Sequence, residues 1–454
     1  MTPKRRNTRI ESDLLGEIAV PARALYGAQT RRAALNFPAD GQKTLGAYPE
    51  MVRALMEIKE AAAEANRRCG FLSRRRAAAI RAAARQVKRG GFFSEFPVHA
   101  LHGGGGTSAN MNANEALANL AEEWLGGRRG RYRLIHPNDH VNLHQSTNDV
   151  YPTACHLALL RAWPRLEDEL AALAETFRVR RRALRGERRL ARTCLQDAVE
   201  VGWDDLLGGY ESFVRRATRR LGNAVDQLHA VNLGGTIVGR TEDAPAAYRR
   251  AIVPALRKAT GFRKLRKAAN WFDAAQNADD LAAVGAQLGL LARGLLKIAQ
   301  DFRLLSSGPE GGLGEIRLPA VQPGSSIMPG KVNPVIPEFL IQACFQAMGA
   351  QAVGEAALAH GELDLNVWES ALVFNLLDAM ELMRTATRAF ATRCVAGFEV
   401  SAAANAAHTR SIIPQLTRAM HRHGYSSVNA VCKEGKGDAA RIRRILTERG
   451  LVGR

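Results

Sequence analysis

Residues 281–305 read LAAVGAQLGLLARGLLKIAQDFRLL. Within them Leu281, Val284, Leu288, Leu291, Leu295, Ile298, Phe302 and Leu305 are spaced 3,4,3,4,3,4,3. That is the apolar seam of a long helix, sustained over more than three heptads. The pattern predicts a helix from about 273 to 305, roughly 50 Å long at 1.5 Å per residue. A helix of that length needs partner helices along its seam, from this chain or from another subunit, so the stretch predicts a long bundle.

Outward from the seam the chain keeps reading as helix. Two more helical stretches follow at about 334–360 and 365–397. Upstream, Pro49 at a helix start and Gly70 just past a helix end bracket another, with Met51, Leu55, Met56, Ile58 and Ala62 on one face. Strand-like alternation is nearly absent. The fold class is therefore all-α, divided as an N-terminal helical domain (1–140), a central long-helix bundle (141–400) and a small, basic C-terminal helical domain (401–454). The seam is followed by a break, 306–330, holding six Gly and four Pro. A segment of that length without its own helix or strand predicts a binding loop or lid.

The 454 residues are 46% hydrophobic and 24% charged, the balance of a folded globular chain. No run of consecutive apolar residues approaches the ~18 of a membrane span. The basic start, Met1–Arg9, is not followed by an apolar core, so it does not read as a secretory signal. Six cysteines without a CxxC pair fit neither a disulfide scaffold nor a zinc ribbon, and they fit a cytoplasmic protein. Lys and Arg number 64 against 44 Asp and Glu, a net charge of +20. The basic residues are spread through helical segments and are not interleaved with aromatics. That pattern favours a field that concentrates small dianions over a nucleic-acid surface.

Four polar segments interrupt the helices. His102–Asn112 (HGGGGTSANMN) places Thr107, Ser108 and Asn110 after four glycines, a set of backbone and hydroxyl donors suited to an anion. Val141–Thr153 (VNLHQSTNDVYPT) places Ser146, Thr147 and Asn148 at the start of a long helix, where they also suit capping. His136, His140 and His144 recur every four residues, but Pro137 and Asn138 argue against one helix of metal ligands. In Ala191–Ala198 (ARTCLQDA) Cys194 has no base near it in sequence and reads as a buried structural cysteine. In Gly324–Pro334 (GSSIMPGKVNP), Ser325 and Ser326 lie in the flexible break. Lys331 and Asn333 follow, one point charge and one amide suited to a carboxylate. The chain offers neutral donors and a lysine from four distant loops and carries no cofactor fingerprint. That set suits a small dicarboxylate.

GSSIMPGKVNP, with Val-Ile-Pro-Glu338 after it, resembles the aspartase/fumarase superfamily. So do Asp13–Gly16 (DLLG), Ala24–Gln29 (ALYGAQ), Gly106–Glu115 (GTSANMNANE) and His136–Thr153. The similarity runs from about residue 9 to 452 and leans toward aspartate ammonia-lyase rather than class II fumarase. It implies an all-α fold of three domains and a homotetramer with loops from three subunits at each site. It also implies anti elimination from a succinate skeleton to give fumarate, without a cofactor or metal. By the resemblance Ser325 matches the base, and Thr107, Ser146, Thr147 and Ser326 match donors to the carboxylate that becomes an enediolate. Lys331, Asn333 and Thr193 match holders of the other carboxylate, and Asn148 with Thr107 matches contacts to the leaving group. His144 and Glu338 are further candidates. Cys194 departs from the family, which has histidine there to contact the leaving group. Glu200 stands where proline is usual, and His144 where a small residue is. These departures imply a carbon–nitrogen lyase with altered leaving-group chemistry, such as an N-substituted or nitro group, or else a sulfur leaving group. The alternatives are a fumarate hydratase and a catalytically impaired paralogue kept as a binding or structural protein.

Overall fold

The computed structural model describes residues 8–451, so most of the basic stretch Met1–Arg9 lies outside the described residues. A hairpin, β1 (Thr8–Asp13) and β2 (Gly16–Pro21), precedes α1 (Ala28–Asn36), α2 (Pro49–Arg68), α3 (Arg74–Lys88) and α4 (Thr107–Trp124). Next come α5 (Thr147–Ala183), a second hairpin β3 (Arg188–Thr193) and β4 (Gln196–Gly202), and α6 (Trp203–Gln227). After β5 (Ala230–Val231) follow α7 (Ala246–Thr260), β6 (Arg266–Lys267), α8 (Trp271–Gln276) and α9 (Asp279–Leu305). The rest is β7 (Ile316–Arg317), α10 (Val335–Ala359), α11 (Glu369–Phe390), β8 (Glu399–Val400) and α12 (Ala402–Thr409) to α15 (Ala439–Glu448), with α13 at Ile412–His423 and α14 at Tyr425–Gly435. The eight short strands form four two-stranded sheets, so the fold is all-α in substance.

Every seam residue from Leu281 to Leu305 is buried. The helix is shorter than the pattern predicts. Asn277 is extended and turns its side-chain amide onto Asp273 (Nδ2–Oδ1 2.7 Å), which ends α8. The chain re-enters α9 with Asp280 Oδ1 accepting the Leu281 N–H at 2.7 Å and two acidic residues in the first turn. A side chain that satisfies local groups in a non-helical conformation competes with the helix, and at Asn277 it wins. By length and composition α9 is apolar enough to cross a membrane, with a mean hydropathy of 1.4 over its best window, which a count of consecutive apolar residues does not register. Its buried seam is the packing of a bundle helix.

The chain groups into two compact units, each assembled from three separate stretches. The first takes residues up to Glu167, Arg219–Leu290 and Phe345–Leu382. There α2 lies against α3 and α7 and is buried almost all round. Two of its acids are matched from α3: buried Glu60 by Arg85 and Lys88 at 2.6 and 2.7 Å, and half-buried Glu64 by Arg81 at 2.7 Å. The second unit takes Asp168–Thr218, Leu291–Cys344 and everything from Met383. Its C-terminal helices close over a small apolar core of Ala419, Val428, Val431, Ile442, Ile445 and Leu446.

Candidate functional site

The predicted site residues fall into two sets, one in each unit. In the first unit the four-glycine turn leads directly into α4. Gly104, Gly105 and Gly106 all have left-handed φ, and a Cβ on Gly106 would meet the Tyr151 ring at 2.1 Å. Only glycine fits that position. The turn leaves Thr107 exposed on the first turn of an 18-residue helix, where free N–H groups favour an anion.

Residues 144–149 form the second wall of this set. Asp149 is fully buried; its Oδ1 accepts the Ser146 N–H at 3.0 Å, and its Oδ2 accepts those of Gly234 and Thr236 at 2.9 and 3.1 Å. Burial pushes its carboxyl up to about 7 against those hydrogen bonds. Ser146 Oγ accepts the Asn148 N–H at 3.2 Å, so the capping role is real. With one lone pair so engaged, the Ser146 hydroxyl still has its proton to donate. Asn148 donates Nδ2 to Ile237 O at 2.9 Å, which leaves its Oδ1 as an acceptor. The histidines nearby are committed. His136 Nδ1 accepts the Asn138 and Asp139 N–H groups, and His140 Nδ1 accepts the His136 N–H. His144, held at φ 60°, bonds Asn66 Oδ1 at 2.7 Å between the rings of Phe71 and Tyr248, and burial lowers its pKa. Among the described residues no three His, Cys, Asp or Glu are grouped to hold a metal.

The sequence reading named Asn110 among the donors that follow the four glycines and missed Lys59, which lies against it. Lys59 is fully buried under this wall, with Nζ 2.7 Å from Asn110 Oδ1, 2.9 Å from Asn142 Oδ1 and 3.0 Å from Gln145 Oε1. Burial pulls it down to about 7 against the Asp149 carboxylate. Asn110 in turn donates Nδ2 to Thr147 Oγ1 at 3.1 Å. The signal that could have found it is that its helical neighbours three and four places away, Leu55, Met56, Ala62 and Ala63, are all apolar.

In the second unit the glycine-proline loop closes on itself. Gly324 N–H donates to Lys331 O and Asn333 Nδ2 donates to Gly324 O, both at 2.8 Å. Inside that neck Ser325 Oγ accepts the N–H groups of Ile327 and Met328 at 3.2 and 3.0 Å. Ser326 and Lys331 are exposed, and Asn333 is half-buried with one amide hydrogen spent on the neck. Glu338, in the first turn of α10, faces Arg303 at 3.4 Å.

The segment Ala191–Ala198 is a tight hairpin turn rather than a loop. Thr193 pairs with Gln196, and Cys194 and Leu195 between them both have left-handed φ, 52° and 61°. Cys194 is exposed, not buried as the sequence suggested, because a two-residue turn at a hairpin tip has no core to enter. Glu200 lies on β4 and pairs with Arg188 at 3.0 Å and with Arg418 of α13 at 3.5 Å, which gives the residue in the usual proline position a structural partner. One buried carboxylate anchors both features of this unit. Glu315, at the base of the loop, meets Arg192 of the hairpin, Arg189 at 3.4 Å and His408 at 3.1 Å.

A model of the family described as Lyase matches residues 16–349. The chain is 37% identical to an aspartate ammonia-lyase of Bacillus sp, with 98% of this chain and 94% of the relative covered. It is 38% identical to a class II fumarate hydratase of Mycobacterium tuberculosis, covering 98% and 92%. A crystal structure of fumarate lyase:delta crystallin from Brucella melitensis superposes with a TM-score of 0.93 at 40% identity, covering 98% of this chain and 96% of that one.

Proposed function

The chain belongs to the aspartase/fumarase superfamily of lyases, and from that premise we propose that it eliminates an amine-type group from an aspartate- or succinate-type dicarboxylate to give fumarate. The observation that carries the reading is Ser325. A free serine hydroxyl is far too weak an acid to serve as a base near neutral pH. Two backbone N–H groups already aimed at its oxygen favour the alkoxide, at no reorganisation cost when it forms.

In this reading Ser325 Oγ takes the proton from the carbon beside one carboxylate. The electron pair moves into that carboxylate as an enediolate, and the outward hydroxyls of Thr107, Ser146, Thr147 and Ser326 stabilise its second charge. Lys331, Asn333 and Thr193 hold the distal carboxylate. The bond to the leaving group then breaks as the double bond of fumarate forms. Asn148 offers an acceptor oxygen, suited to the N–H bonds of a departing amine, with Thr107 beside it. No metal or cofactor is needed for these steps. Cys194 brings no imidazole to the leaving group, so an N-substituted or nitro-type group is the favoured variant over plain ammonia. The resemblance also implies a homotetramer whose sites draw on several subunits, and a division into three domains.

Fumarate absorbance in the ultraviolet tests this directly, with aspartate, malate, N-substituted aspartates and nitrosuccinate offered in turn. Fumarate from a nitrogen-bearing substrate is the expected result. Fumarate from malate alone would make the protein a hydratase, and none from any would leave an impaired paralogue.

A further inference from the structure

Among the described lysines only Lys59 is fully buried. It is surrounded by three amide oxygens, from Asn110, Asn142 and Gln145, at 2.7–3.0 Å. None of those amides can be turned round. Asn110 spends its Nδ2 hydrogens on Asn142 Oδ1 at 3.2 Å and Thr147 Oγ1 at 3.1 Å. Asn142 spends Nδ2 on Gln145 O at 3.0 Å, and Gln145 spends Nε2 on Val141 O at 3.0 Å. Each amide oxygen is therefore left facing Nζ, and a nitrogen with three acceptors needs three hydrogens to donate. The geometry is that of an ammonium.

The consequence reaches Thr147. Its Oγ1 receives the Asn110 N–H, so one lone pair is occupied and the hydroxyl hydrogen cannot point at Asn110. That leaves the hydrogen free to turn out of the wall as a donor. Take the ammonium away and the Asn110 oxygen loses its donor, which removes the strongest of the contacts that hold it inward. With the amide reversed, its oxygen would face Thr147, and the Thr147 hydrogen would turn inward to meet it. The direction of one hydroxyl is thus set by a charge two hydrogen bonds away.

We propose that Lys59 is a positioning residue that, through Asn110, holds Thr147 as an outward hydrogen-bond donor to an anionic ligand. This rests on the dicarboxylate reading above and names the device that polarises one of its donors. Lys59 does not touch the ligand. A lysine that merely filled space and stabilised the fold would affect binding independently of Thr147. One that acts through Thr147 has little left to lose once Thr147 is gone.

The experiment is a double-mutant cycle with succinate as the probe, its affinity measured by calorimetry on the full-length protein, and thermal melting recorded alongside. Thr147→Val and Lys59→Met are each expected to weaken succinate binding by about 10- to 100-fold, the range for a hydrogen bond to a charged group. The double variant should bind within about threefold of Thr147→Val alone. Additive losses would overturn the proposal. If Lys59→Met does not fold, Lys59→Gln takes its place. It keeps two donors, so it should weaken binding clearly less than Thr147→Val does. A folded Lys59→Gln as weak as Thr147→Val would overturn the proposal equally. Succinate binding without fumarate formation from any substrate would sink the elimination reading and leave the cycle to decide Lys59. A wild type that binds no succinate would overturn both.

Discussion

At the scale of single side chains the proposed chemistry rests on Ser325 and Cys194. Removing the Ser325 hydroxyl should cost at least about 10²-fold in kcat, as expected for a positioned base, with an unchanged melting temperature, since water can serve the two N–H groups of an exposed loop. Turnover of Ser325→Ala within tenfold of wild type would place the base elsewhere. If Cys194 stands where a leaving-group contact is lost, Cys194→His should raise activity on plain aspartate by roughly 10- to 150-fold, the worth of one hydrogen bond to a charged amine. A wild type already fast on aspartate, and unchanged by the substitution, would make the cysteine a tolerated replacement. Pairing His144→Ser with Cys194→His separates any contribution from His144, whose ring is held by Asn66. Glu64 gives a pH dependence of stability. Arg67, Arg68 and Arg81 hold its carboxyl down to about 2, below the usual glutamate value of about 4.3. A folded-state value below the unfolded one adds stability that is fully present above about pH 4.3 and lost as the pH falls toward 2. Acid unfolding of Glu64→Gln should therefore lose part of the wild type's dependence in that window, and equal acid curves would refute the clamp.

Among the elements, α9 and the β3–β4 hairpin show what the sequence carried and what it did not. The seam of α9 was legible because its period is local and every member is buried. The loop around Ser325 was legible from its run of Gly, Pro and Ser. The hairpin was not. Its strands are arginine-rich, and its turn is Cys-Leu, where left-handed backbone normally recruits Asn or Gly. Lys59 was hidden for another reason. Its partners, Asn110, Asn142 and Gln145, come from α4 and the segment before α5, and no spacing within α2 names them. Gly294 makes the same point as a prediction. In an isolated helix, alanine there would be stabilising. Here a Cβ would sit 1.7 Å from the Phe213 ring of α6. Gly294→Ala should lower stability by about 1–3 kcal/mol in denaturant melts, with Phe213→Leu recovering part of the loss. A neutral Gly294→Ala would mean that the two helices separate easily.

For the molecule as a whole, the outer faces of the long helices suggest self-association. Leu290 and Leu304 on α9 and Phe339 and Phe345 on α10 are exposed in the single chain. Apolar side chains on bundle helices are normally covered, and a further copy of the chain would cover them. Light scattering of active protein should give a tetramer mass, and a monomer mass would remove the shared-site reading. The three-stretch construction of each unit has a consequence for biosynthesis. The first unit lacks its last stretch until Leu382 has been translated, and the second lacks its own until the C-terminal helices are made. On the ribosome α9 therefore emerges with its apolar seam before α10, α11 and the C-terminal helices have been made. Domains usually fold one after another as they emerge, N-terminal first. Units built from three separate stretches cannot close in that order, so the chain depends on whatever shields that seam, a chaperone or a slow wait, until the later stretches arrive.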